Sequence, residues 1–207
     1  MGTWVQLLSN KSVDLDGRQR AYKPGDWLEV GRQTALLWVA SGDARLIKPV
    51  SALMPQAAGV LLRRDVNGAR ATAESWGLPV ETGEVRMDWP KTLVWEPSLP
   101  VRKALLPVGF GFLDKWHLAA PLWSYEELAR DVGTPQDRAR TEAVIRDLRV
   151  PLYDTRLLFL RRTRETRELL WHWKQEIADG SDERLAFLRA LYRVKPVILA
   201  LPTTWRN

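Results

Sequence analysis

The sequence contains no cysteine and only two histidines, His117 and His172. The first absence excludes a disulfide framework, thiolate zinc sites, iron–sulfur clusters and a cysteine nucleophile. The second excludes a histidine-rich metal site. Long apolar runs are missing too: Arg, Pro or Gly interrupts each well before the ~18 residues that a membrane span requires, so no membrane partner is expected. The chain does not open with a basic segment leading into an apolar one, so no secretory signal is expected. Met1-Gly2 resembles a myristoylation start, but the sixth residue is Gln6 rather than Ser or Thr. Gly-x-Ser-x-Gly, P-loop and His-Glu-x-x-His motifs are absent, and Gly109-Phe110-Gly111-Phe112 lacks the third glycine of a dinucleotide fingerprint.

What is present suits a buried core. The 207 residues are 45% hydrophobic and 27% charged, enough to fold without metal or disulfide staples. Net charge is +6, with 23 of the 31 bases arginine. The charge is spread: residues 1–50 carry seven bases against five acids, and residues 51–207 carry 24 against 20. A nucleic-acid binder concentrates its charge on one face. Here the densest stretch, Arg156 to Arg167, is diluted by Glu165 and reads as a solvated helix, so nucleic acid is not an expected partner. The arginine bias, the missing cysteine and the abundant proline suit a thermophilic source. Eleven tryptophans offer core or interface anchors, because indole buries a large area at small entropic cost.

The order of elements predicts an α/β fold, α+β overall, in two parts. Residues 1–48 read as a ββαβ-like module: a strand near Trp4–Leu8, a hairpin turning at Asp16-Gly17, a turn at Lys23-Pro24-Gly25-Asp26, a strand at Trp27–Val30, a helix at Gln33–Ala40 stopped by Gly42, and a strand at Ala44–Ile47. Residues 49–58 read as a linker. Residues 59–207 form an α/β domain, with buried strands at Val60–Leu62, Thr92–Trp95 and Leu157–Leu160 and a final one at Val197–Ala200. A short helix is expected from Ala69 to Trp76, and extended chain over 80–107. Further helices are expected to start at Ser124, Thr134, Thr163 and Ser181, as N-caps. The helix after Thr134 is expected to turn Ala139, Ala143, Val144 and Leu148 inward.

Two resemblances sharpen these expectations. Tyr22-Lys23-Pro24-Gly25-Asp26, Leu28-Glu29-Val30, Ala35 and Gly42-Asp43-Ala44 follow a pattern that resembles a small module in proteins encoded by tailed bacteriophages near head and connector genes. The resemblance implies an interaction role, in a virion or in the host cytoplasm, with capsid or connector proteins or a second copy as partners. Trp4, Trp27 and Trp38 are the interaction candidates, because so small a module cannot cover three indoles by itself.

Segments within the last 60 residues, together about a quarter of the chain, are similar to the carboxyl-terminal half of nucleotide-sugar glycosyltransferases of the A-type fold. The similarity rests on Pro151 to Arg162, where the family has Asn-Thr-Gly before an apolar strand ending in Arg-Arg. It rests also on Asp182-Glu183-Arg184-Leu185-Ala186-Phe187 with Ala190-Leu191-Tyr192, like the family's Asp-Gln-x-x-Phe helix, on Leu201-Pro202-Thr203-Thr204-Trp205, and on Trp171 or Trp173 in the helix between. The resemblance implies Asp154, Thr155, Asp182 and Glu183 around a sugar nucleotide with a divalent cation. The departures imply a reduced, non-catalytic domain needing no cofactor and holding no metal. Arg156 replaces the glycine, and the only Asp-x-Asp, Asp14-Leu15-Asp16, sits in the amino-terminal hairpin, where it reads as a turn. His117, three residues after Asp114, reads as a satisfied, partly buried histidine, and His172, between Trp171 and Trp173, as lying on the exposed side of a helix.

Overall fold

The computed structural model describes residues 3–15, 18–46, 58–64, 66 and 68–206. The chain forms two compact units: one of residues 1–55 with 102–111, the other of residues 56–101 with 112–207. Segment 102–111, read in the sequence as part of the second domain, thus belongs to the first unit. Of the linker 49–58 only Ala58 is described, and it opens a strand.

The first unit holds a three-stranded antiparallel sheet of β4 (Trp27–Val30), β1 (Thr3–Leu7) and β5 (Ala44–Leu46), in that order. A separate hairpin of β2 (Lys11–Leu15) and β3 (Arg18–Tyr22) pairs Leu15 with Arg18; its Asp16-Gly17 turn lies outside the described residues. The alternation of Trp27–Val30 survives as exposed, buried, exposed, buried. Val5, Leu7, Leu28, Val30 and Ala44 form the core with Ala35 of α1 (Arg32–Ala40), edged by Val13, Tyr22 and Trp38. At the Lys23–Asp26 turn, Gly25 takes φ +98°, a conformation that favours glycine, and its N–H reaches Leu7 O at 2.8 Å. Residues 102–107 were expected to be extended. They instead form a 3₁₀ turn, Lys103–Leu105, running into α3 (Leu106–Phe112). Pro107 stands in the first turn, where a missing N–H costs nothing, and burial of Leu106, Val108 and Phe110 outweighs the poor helix propensity of Gly109 and Gly111.

The second unit is an α/β domain with a six-stranded mixed sheet. Its order is β11 (Ile198–Leu201), β9 (Leu118–Pro121), β10 (Leu157–Arg161), β8 (Lys91–Trp95), β6 (Ala58–Leu62) and β7 (Val80–Thr82). β6 runs parallel to β7 and β8, β11 runs parallel to β9, and β10 is antiparallel to both its neighbours. The apolar runs at Ala58–Leu62 and Leu157–Leu160 are buried throughout, as central strands covered on two faces must be. One face packs Leu61, Val94, Leu158 and Leu160 against Leu169 and Trp173 of α5 (Arg164–Ala178) and Phe187 of α6 (Glu183–Val194). α2 (Ala69–Glu74) links β6 to β7. Gly59 of β6 lies under Trp89, where a Cβ would come within 2.1 Å of the indole.

Four expectations for this unit are corrected. Ser124 Oγ accepts the N–H groups of Glu126 and Glu127, but no α-helix follows: Leu128 bridges to Pro151 and only a 3₁₀ turn, Ala129–Asp131, forms. The cap of α6 is Asp182, not Ser181; its carboxylate accepts from Arg184 N and Leu185 N. The last strand is an edge strand with Val197 and Ala200 exposed. Finally, α4 (Pro135–Ile145) starts at the Thr134 cap but buries Asp137, Thr141 and Ile145, leaving Ala139 and Ala143 exposed.

Candidate functional site

In the second unit, strand directions gather one set of termini. β6 and β8 run parallel and β10 runs against β8 and β9, so the residues leaving β6, β8 and β9 and those entering β10 share one edge. This carboxyl edge is where open α/β sheets bind ligands. Arg63 follows β6, Glu96 follows β8, Trp123 follows β9, and Asp154, Thr155 and Arg156 precede β10. Backbone bonds tie them together: Arg63 N donates to Trp95 O at 3.0 Å, Glu96 N to Arg156 O at 2.8 Å, and Trp123 N to Leu152 O at 2.7 Å.

The amino end of α6 completes the corner. Thr155 Oγ1 donates to Glu183 Oε1 at 2.8 Å, and Arg63 Nη1 pairs with the same oxygen at 2.6 Å. Asp154 is fully buried and held by Arg156, with Nε–Oδ1 at 2.9 Å, Nη2–Oδ2 at 2.8 Å and the Arg156 backbone N–H at 3.1 Å. The Asp154 carboxylate in turn keeps the Arg156 guanidinium above its ordinary pKa. Burial disfavours the charged form of Asp182, but Arg184 and the helix N–H groups outweigh it and hold the carboxyl below its usual range. Between these pairs the Trp123 ring has the guanidinium carbons of Arg156 and Arg184 each 4.7 Å from its centre, an arrangement favoured by the ring quadrupole. Glu127 accepts from Trp123 Nε1 and from Arg184.

The four residues implied by the glycosyltransferase resemblance therefore sit at one edge. Thr155 and Glu183 touch directly, while Asp154 and Asp182 each face their own arginine. Arg63, Trp123 and Arg184 were missed in the sequence. Arg63 stands directly after a buried apolar run, which was the one available signal. Each of these carboxylates is already matched by a cation, and among the described residues no three His, Asp or Glu side chains converge as a metal-holding group. Asp14 lies in β2 in register with Gln19, and Asp16 is outside the described residues.

His117 is tied into the sheet, whereas His172 is a half-buried residue of α5 beside an exposed indole. His117 Nδ1 accepts the Val197 N–H at 3.3 Å, tying β9 to β11. The His172 ring lies edge-on to Trp171, 4.7 Å between centres.

In the first unit, the face of the three-stranded sheet turned away from its core carries Trp4 and Gln6 of β1, Trp27 and Glu29 of β4, and Arg45 of β5. The register sets Trp4 beside Glu29 and Gln6 beside both Trp27 and Arg45, so the two indoles are diagonal neighbours on adjacent strands. Trp4 is 50% and Trp27 57% exposed. Trp38 differs: it packs against the core, with Lys11 Nζ 5.8 Å from its ring centre.

No protein-family model, curated protein or solved structure matches the chain.

Proposed function

We propose that this chain is a non-catalytic interaction protein of a tailed bacteriophage, a structural or connector-region component carrying a reduced glycosyltransferase-like domain. The observation that carries this reading is the outer face of the small sheet, where Trp4 and Trp27 are diagonal neighbours on adjacent strands and half or more open to solvent. Aromatic pairs of this kind are enriched at the centres of protein interfaces. The phage-module resemblance of Tyr22–Asp26 and Gly42–Ala44 supports the setting. The internal pairing of Asp154, Asp182 and Glu183 supports the absence of catalysis, because a metal–diphosphate would have to displace Arg156, Arg184 or Arg63 to use them.

Trp27→Ala in the full chain tests the reading. Association, followed by light scattering and by incorporation into particles, should weaken by about 2 kcal/mol or more, while the melting of the second unit stays unchanged. A chain that stays monomeric at high concentration, enters no particle and merely melts earlier when mutated would overturn it.

One observation favours a second reading, an active glycosyltransferase or carbohydrate-binding protein: Thr155 and Glu183 meet at the carboxyl edge of the sheet. Manganese-dependent hydrolysis of UDP- or GDP-sugars that disappears in Asp182→Ala would promote it.

A further inference from the structure

A cleft of about 420 Å³ opens in the second unit where β6 and β7 end, against the last turns of α5. That volume lies within the range of small-molecule sites, which combine apolar walls with a few convergent polar groups. Here Val85, Leu170, Trp173 and Ile177 supply the apolar surface, and Ile177 is 39% exposed. The cations on the lining are Arg63, Arg64 and Lys174, with Glu84 as the acid among them.

The three cations are not equally available. Lys174 is paired with Glu84, and Arg63 with Glu183. Arg64 is exposed and makes no ion pair with a described residue. The cleft thus combines apolar walls with one guanidinium that has no ion-pair partner among the described residues, and the planar fork of a guanidinium matches a carboxylate. A nucleoside diphosphate would bring more negative charge than Arg64 alone can meet, and would set it beside Glu84.

We propose that this cleft binds a small organic monocarboxylate with a flat or branched apolar body. The body lies on Leu170, Trp173 and Ile177, and the carboxylate pairs with Arg64. This goes beyond the interaction reading and does not depend on it.

The experiment titrates the full chain with 1-naphthoate, with the neutral alcohol 1-naphthalenemethanol and with UDP, read by calorimetry and by amide chemical shifts. Naphthoate should bind with a dissociation constant below about 1 mM, and the alcohol about fivefold more weakly, the scale of one solvent-exposed ion pair. Arg64→Gln should remove the difference between the two, and Ile177→Gln should weaken both, each with an unchanged melting curve. Overturning results are no binding of naphthoate in the millimolar range, an affinity for naphthoate indifferent to Arg64→Gln, or UDP binding more tightly than naphthoate through Arg64.

Discussion

Arg189 is among the largest fully buried side chains of the molecule, and a buried guanidinium persists only when its charge and its donors are met. Its Nε donates to Glu176 at 2.9 Å, its Nη1 to Asp137 at 2.9 Å and to Thr141 at 2.5 Å, and its Nη2 to Ser181 at 2.6 Å. Arg140 and Arg193 reach the same Glu176 from the surface. This one residue explains why the inward face of α4 was misread. Hydrophobic periodicity assigns Ala139, Ala143, Val144 and Leu148 to the core; Val144 and Leu148 do pack there, but in place of Ala139 and Ala143 the helix turns Asp137 and Thr141 inward to serve a cation on α6. Arg189 itself recurs four residues after buried Leu185 on the inward face of an otherwise apolar helix, a placement that sequence periodicity alone reads as a mismatch. Removing it would leave Asp137 buried without a counter-charge. Arg189→Met should therefore cost about 3–5 kcal/mol in urea unfolding, whereas Arg193→Met, half exposed, should cost about 1 kcal/mol or less. Equal costs would mean that the network contributes no more than its surface members.

Elements announced by local chemistry were legible. Thr134 and Thr163 cap α4 and α5 through Asp137 N and Thr166 N, and the apolar runs of β6 and β10 became central strands. Those decided by tertiary burial were not: α3 forms through its buried apolar side chains despite two glycines, and Ser124 binds its N–H groups without starting a helix. Asp43, in the turn between α1 and β5, shows how a single side chain joins elements. It binds Lys11 of β2 at 2.6 Å, Ser41 after α1 at 2.5 Å and Ser9 after β1 at 2.6 Å. These partners, Lys11 foremost, hold its carboxyl far below the usual carboxylate range. A depressed folded-state pKa gives stability that is complete above the unfolded value and lost as pH falls toward the folded one. The first unit should therefore lose stability progressively below about pH 5. Asp43→Asn should be less stable than the parent at pH 7, with the difference closing between about pH 5 and pH 2, as read by thermal melts followed by circular dichroism. A difference that stays constant across that range would exclude Asp43 as the titrating group.

At the scale of the whole molecule, the features that stayed hidden join distant parts of the chain. The resemblance pointed to Asp154, Thr155, Asp182 and Glu183, but 120 positions separate Arg63 from Glu183, and no local pattern pairs them. The same holds for the first unit, whose 102–111 segment returns after three of the six strands of the second unit's sheet have been laid down. The 103–105 turn packs on α1, and Leu105, Leu106, Val108 and Phe110 are all buried. A module of this size sits near the lower limit for a self-sufficient core, so losing four buried apolar side chains, worth roughly 1.5–3 kcal/mol each on transfer, should exceed its stability. Residues 1–55 expressed alone should therefore show poor amide dispersion and no cooperative melt. Joining residues 102–111 to them through a flexible Gly-Ser linker should restore both. If residues 1–55 alone melt as cooperatively as the joined chain, the first unit is complete without the returning segment, and α3 is a passenger on it.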